Sequence, residues 1–290
     1  MTTEPSTSTH NAPIGVFDSG IGGLSVLRAL RAELPHERFV YFADSGHAPY
    51  GERGDAFVIE RSRAITAYLR ANHGIKALVV ACNTATAAAI HLLRAANPGL
   101  PIIGVEPALK PAVAASRTGH IGVIGTRGTL SSAKFQALLA AQATHARFTV
   151  QPCDGLANAI ERSTRAGTEN AMEISALCAR YISAMGHFGP ELQAIDTLVL
   201  GCTHYIFAAD LLQALAGPGI HLIDTGTPVA RRTRSLLEAA RALSGQSAPD
   251  MPGLLLSTTG EPEELRQAAC RWLGDRAWQL PRLEIRRMQN

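Results

Sequence analysis

No apolar run in this 290-residue chain approaches the roughly 20 residues needed to cross a bilayer, which excludes a membrane-spanning helix. Nor is there a CxxC pair. The five cysteines, Cys82, Cys153, Cys178, Cys202 and Cys270, form an odd and scattered set, unlike a disulfide framework or a zinc site, and read as reduced thiols in a cytoplasmic protein. The first dozen residues carry neither a basic n-region nor an apolar h-region, so a short disordered tail is expected there rather than a secretory signal. Lys and Arg form no block and the net charge is only +3, which gives no electrostatic footprint for nucleic acid. Lysine itself is scarce: Lys76, Lys110 and Lys134 are the only three, and the remaining basic residues are arginine. GxxxxGK[ST] is missing. The dinucleotide fingerprint also fails, because counting from Gly20 the sixth position is Ser25 rather than glycine.

What is present is an α/β pattern. With 46% hydrophobic and 18% charged residues, a soluble globular chain of this length is expected to divide into two domains of about 140 residues. Short β-rich runs alternate with amphipathic helical stretches: Ile14 to Phe17, Phe39 to Phe42, Ala77 to Ala81, Ile102 to Val105, Ile121 to Ile124, Phe148 to Gln151, Thr197 to Gly201 and Ile220 to Ile223. Such alternation predicts parallel sheets, and continuously apolar runs such as ALVVA and TLVLG suit strands covered on both faces. After Gly54 the helical spacing of Phe57, Val58, Ile65 and Leu69 predicts a helix, with Asp55 as its N-cap and Gly74 at its stop.

The chain also partly repeats itself. IGVFDSGIGGLS from Ile14 resembles IGVIGTRGTLSS from Ile121, ALVVACNT from Ala77 resembles TLVLGCTH from Thr197, and IIGVE ending at Glu106 lies against IHLID ending at Asp224. Three matches in one order predict two similar α/β halves. Any strand followed by a polar loop is an adequate account of the third match; it is not an adequate account of Cys82 lying opposite Cys202.

Ligands of open parallel sheets bind beyond the carboxyl ends of the strands, where Cys82 and Cys202 both fall. A free cysteine is most often a small buried hydrophobe, which suits Cys153, Cys178 and Cys270. A thiol at a helix N-terminus is instead a usable base or nucleophile. Asp18 to Gly23, DSGIGG, is a glycine-rich loop able to offer N–H groups to an anion, with Asp18 able to hold an ammonium; it could equally be a tight turn. APYGER, residues 48–53, is a second such loop, and GTRGT, residues 125–129, its counterpart in the second half. His204 has no companion ligands for zinc. Glu161 on a predicted helix defaults to a solvated face. Two matched thiols from similar halves, facing one atom from opposite sides, suit proton exchange at a stereocentre better than the single-thiol chemistry of a protease.

DSGIGGLSVL, PYGER, ACNTAT, GVIGT and LGCTHY, in this order, resemble the glutamate racemases of the wider aspartate, glutamate and hydantoin racemase superfamily; LIDTG at 222–226 resembles a further segment. The resemblance implies interconversion of L- and D-glutamate for peptidoglycan, with no cofactor and no metal, by Cys82 and Cys202 as opposed bases. Asp18 and His204 then tune the thiols, with Glu161 assisting His204, and substrate contacts fall on Asp18, Ser19, Tyr50, Gly51, Asn83, Thr84, Thr126, Thr203 and His204. It also implies two α/β domains related by pseudo-two-fold symmetry around a cleft, residues 13–107 plus 220–290 and residues 108–219 after a tail 1–12, and a cytoplasmic homodimer. The usual proline after GCTHY is Ile206 here. None of the three lysines sits at a strand's carboxyl end, which leaves no Schiff-base route; hydrogen bonds and dipoles in a water-excluded site must stabilise the developing charge. The alternatives are an aspartate or hydantoin racemase, or a secondary role as a regulator binding DNA gyrase, which a charge of +3 without a basic cluster supports weakly.

Overall fold

The computed structural model describes residues 10–163, 168–245, 253–273 and 284–287; most of the expected tail, residues 1–9, lies outside them. His10 is not free: its carbonyl accepts from Lys76 Nζ at 2.7 Å and from Ser244 Oγ at 2.8 Å.

All eight expected strands are present, as β1 (Ile14–Asp18), β2 (Phe39–Ala43), β3 (Ala77–Val80), β4 (Ile102–Gly104), β5 (His120–Gly125), β6 (Arg147–Pro152), β7 (Thr197–Leu200) and β8 (His221–Ile223). Two more, β9 (Leu254–Thr258) and β10 (Glu284–Arg287), follow them. They form two sheets with parallel pairing throughout, β10-β9-β2-β1-β3-β4 and β6-β5-β7-β8. The order β2-β1-β3-β4 is the order β6-β5-β7-β8, so the two halves of the sequence repeat fold alike.

Register makes the equivalence sharper. Ile14 pairs with Ala77 in one sheet and Ile121 with Thr197 in the other, so the residues that begin the first two repeats stand directly opposite each other in both halves. The third repeat behaves differently. Leu78 pairs with Ile102, whereas its equivalent Leu198 pairs with Leu222, two residues beyond the match made from sequence. A two-residue slip keeps the same face of a strand toward the core, which is why the edge strand tolerates it.

Each sheet is covered on both faces. Helices Leu24–Glu33, Gly226–Ala239 and Pro262–Leu273 pack on one face of the first, and helices Asp55–His73 and Asn83–Ala96 on the other. The second lies between Leu156–Arg162 with Thr168–Ala184 on one side and Leu109–Ala115 with Ala133–Ala140 on the other. Because β8 pairs with β7, the chain returns to the first half after Ile223 rather than at residue 220. Gly54, with extended backbone, occupies the N-cap of helix Asp55–His73, and Asp55 is its first helical residue, where a carboxylate still meets the positive end of the dipole. Gly74 ends that helix at φ +54°, as a left-handed stop. Among the described residues no helix is long and apolar enough to cross a membrane.

Candidate active site

In each sheet the order of connections reverses between the first strand and the third, and the loops leaving those strands open a crevice there. In the first half that crevice receives Asp18 at the end of β1 with the loop that follows it to Gly23, and Cys82 after β3. In the second it receives Gly125 at the end of β5 with Thr126 after it, and Cys202 after β7. GTRGT is therefore the counterpart of the DSGIGG loop and not of APYGER. It faces APYGER across the interface: a Cβ on Gly51 would lie 2.6 Å from Thr126 Cβ, and one on Gly128 3.1 Å from the Gly51 carbonyl. Thr84 Oγ1 lies 3.1 Å from Thr126 Oγ1 and 3.3 Å from Thr129 Oγ1, joining the halves through three hydroxyls.

Cys82 is the N-cap of helix Asn83–Ala96, and its Sγ accepts from the Ala85 N–H at 3.4 Å and lies 3.8 Å from Ser19 Oγ. The helix N-terminus alone favours a thiolate, yet the thiol is pushed well above its ordinary range. Burial is the main cause and the Asp18 carboxylate the next, and the Ala85 N–H offsets them only in part. Cys202 does not begin an α-helix directly; a 3-10 turn, Tyr205–Ala208, precedes helix Ala209–Ala216. Its Sγ lies 3.8 Å from His204 Nδ1.

His204 Nε2 lies 2.8 Å from Glu161 Oε2. Burial disfavours an imidazolium, but Cys202 and Glu161 outweigh it and raise the His204 pKa well above the ordinary value. Burial would likewise raise the Glu161 carboxyl, but His204, the Ile21 N–H at 2.9 Å and the Ser45 hydroxyl at 2.7 Å hold it below the carboxylate range. Glu161 is thus far from a solvated face: its side chain is only 13% exposed, and its helix turns it inward against the other half. The pair is an ion pair that places a positive charge beside Cys202.

Asp18 is fully buried, and burial pushes its carboxyl up to about 6 against the opposing pull of His204. Its Oδ2 accepts from Gly23 N–H at 2.9 Å and Gly20 N–H at 3.2 Å, while Oδ1 has no hydrogen-bond partner. The Asn83 side-chain amide, also buried, has none on either atom. Buried polar groups in native folds are almost always satisfied, so unpaired ones beside the Cys82 thiol are groups suited to a polar ligand. Ser19 and Thr203 are buried here as well. Tyr50 differs, since its hydroxyl donates to Asp44 Oδ2 at 2.5 Å and so has its proton engaged within its own half.

The glycines of the DSGIGG loop answer to the opposite half. A Cβ on Gly22 would lie 2.4 Å from His204 Nδ1, and one on Gly20 2.2 Å from Glu161 Oε2. Tyr41 Oη, donating to the Gly20 carbonyl at 2.6 Å, fixes the loop from below. Cys153 and Cys178 are core residues, as expected. Lys76 sits at the amino end of β3, remote from the thiols, where it pairs with Glu37 at 2.5 Å. Among the described residues no group of three or more His, Cys, Asp or Glu is arranged to hold a metal ion.

Ser45 and Asp44 went unnoticed in the sequence. They immediately follow β2, at the same sheet edge as the thiols, and that position is the signal that could have found them.

Residues 22–233 match the Asp/Glu/hydantoin racemase family. The chain is 51% identical over 238 residues to the glutamate racemase of Stutzerimonas stutzeri, covering 82% of this chain and 86% of that one. It is 45% identical over 265 residues to the glutamate racemase of Methylococcus capsulatus, covering 90% and 92%. Among solved structures, glutamate racemase isoform RacE1 of Bacillus anthracis superposes with a TM-score of 0.81 at 29% identity, over 97% of this chain and 98% of that one. The Escherichia coli glutamate racemase, solved with L-glutamate and the activator UDP-MurNAc-Ala, gives 0.77 at 27% identity, over 96% and 98%.

Proposed function

This chain belongs to the Asp/Glu/hydantoin racemase family, and on that premise we propose that it is a glutamate racemase working through Cys82 and Cys202 as opposed bases. The observation that carries the mechanism is the register: Cys82 and Cys202 each stand two residues past the end of β3 and β7, strands that pair identically with the first strand of their halves.

The steps follow from that placement. One thiolate takes the Cα proton and its electron pair stays on the substrate; the opposed thiol then gives its own proton to the other face, leaving a thiolate behind. Running the reaction from the other enantiomer exchanges the two roles. Asp18 Oδ1 accepts from the substrate ammonium. Asn83, Thr84, Thr126 and Thr203 receive the carboxylates with Ser19, His204 and the backbone of Tyr50 and Gly51. The N-terminus of helix Asn83–Ala96 adds a dipole aimed at the charge that develops as Cα loses its proton. On the Cys202 side the Glu161–His204 pair supplies a fixed cation. On the Cys82 side the raised thiol needs the substrate itself, whose ammonium offsets the Asp18 charge that otherwise opposes ionisation.

The same reading makes the protein a cytoplasmic homodimer that supplies D-glutamate for peptidoglycan, with a first domain of residues 13–107 plus the chain after β8 and a second between them. Sedimentation tests the dimer. The activity is tested by incubating pure protein with L-glutamate in deuterium oxide: D-glutamate carrying deuterium at Cα is expected. Turnover of L-aspartate in preference, or product retaining the original Cα proton, overturns the reading.

A further inference from the structure

Glu161 belongs to the second half, yet the first half supplies two of its hydrogen bonds. Oε2 takes the Ile21 N–H at 2.9 Å together with His204 Nε2 at 2.8 Å, and Oε1 takes the Ser45 hydroxyl at 2.7 Å. A carboxylate held at one oxygen only can turn about its terminal bond; one held at both cannot. Ser45 is itself placed with little freedom. Its neighbour Asp44 is fully buried and accepts from Arg61 Nε and Nη2 at 2.9 and 2.8 Å, from Tyr50 Oη at 2.5 Å and from Thr259 Oγ1 at 2.8 Å, with His47 Nδ1 at 3.0 Å. Three separate segments of the first half thereby fix the loop that presents Ser45 to the other half.

We propose that Ser45 is a positioning residue for the Cys202 side of the reaction, its hydroxyl holding Glu161 Oε1 so that Oε2 keeps His204 set against Cys202 when the two halves are together. The proposal rests on the two-thiol reading. Its consequence is that the electrostatics around Cys202 depend on a group from the opposite half, so the base is fully formed only with the cleft shut. The hydrogen-bond contacts of Cys82, to Ser19 and Ala85, lie within its own half.

The test compares wild type, Ser45→Ala and Ser45→Thr as full-length enzymes. Two readouts are used: racemisation of L- and D-glutamate, and the rate at which iodoacetamide alkylates Cys82 and Cys202 in separate peptides. Because the enantiomers have equal free energy, kcat/KM is expected to fall by the same factor, about tenfold, in both directions in Ser45→Ala. The alkylation rate of Cys202 is expected to drop several-fold relative to that of Cys82, and Ser45→Thr to restore both. An unchanged Cys202 rate, equal change at both thiols, or no rescue by threonine overturns the role of Ser45. Wild-type protein that does not racemise glutamate overturns the reading beneath it.

Discussion

Gly20 and Glu161 share a space that no side chain larger than hydrogen at position 20 permits, since a Cβ there would meet Glu161 Oε2 at 2.2 Å and Oε1 at 2.3 Å. The two residues come from opposite halves, and their closeness means that the glycine-rich loop is shaped by the carboxylate as much as by any phosphate-like ligand. Gly20→Ala is therefore expected to push Glu161 away from His204 and lower kcat/KM at least tenfold. Gly20 itself faces the other half rather than packing within a core, so the melting temperature is expected to move by only a few degrees. Steady-state kinetics beside differential scanning calorimetry checks both halves of the statement.

Under the proposed two-base mechanism, replacing either thiol removes one of the two proton carriers. Cys82→Ala and Cys202→Ala are each expected to abolish racemisation in both directions, and their loss is expected to be strongly non-additive in the double variant. Chiral chromatography of long incubations is the measurement. Full activity in either single variant is incompatible with two opposed bases.

Asp18 links activity and stability to pH with opposite signs. In the fold its carboxyl ionises at about 6, against an ordinary value of 3.8. Between those values the native state binds the extra proton, so this group's contribution to stability falls as pH rises through the window, by about 3 kcal/mol in all. Asp18→Asn lacks that titration. Urea unfolding is expected to show the variant gaining on wild type by up to about 3 kcal/mol between pH 4 and pH 7, while wild-type kcat/KM rises through about pH 6 as the carboxylate proposed to bind the ammonium forms.

At the far end of the same domain, Lys76 is buried against Glu37, and both side chains are almost fully enclosed. Lys76→Met leaves the Glu37 carboxylate buried without its cation and is expected to cost about 3–5 kcal/mol of stability. The turnover of the folded fraction is expected to stay near wild type, because the pair stands at the amino ends of the strands. Chemical denaturation read alongside specific activity separates the two effects.

The pattern of the first eight strands was legible because each is a short apolar run followed by a helix of clear periodicity. β9 was not, because it follows the stretch SGQSAPDMPG, residues 244–253, which carries turn and loop signals and breaks the strand-helix rhythm. Cys82 and Cys202 stood out for a symmetrical reason: the same residue type recurs at the same place in two similar segments. Glu161 could be found only through resemblance, since nothing in a helical glutamate reveals that the opposite half will enclose it. Ser45 was missed for the same physical reason. A hydroxyl in a polar loop gains a role only from the group it meets across the interface, and that group lies 116 residues away in the chain.

Among the described residues the chain passes between the halves twice, once after β4 and once after β8. Two covalent straps restrict the relative placements of the halves more than one strap would. A single strap would let the halves meet in many attitudes. With two, fewer attitudes remain, among them the one in which Thr84 meets Thr126 and Ser45 meets Glu161.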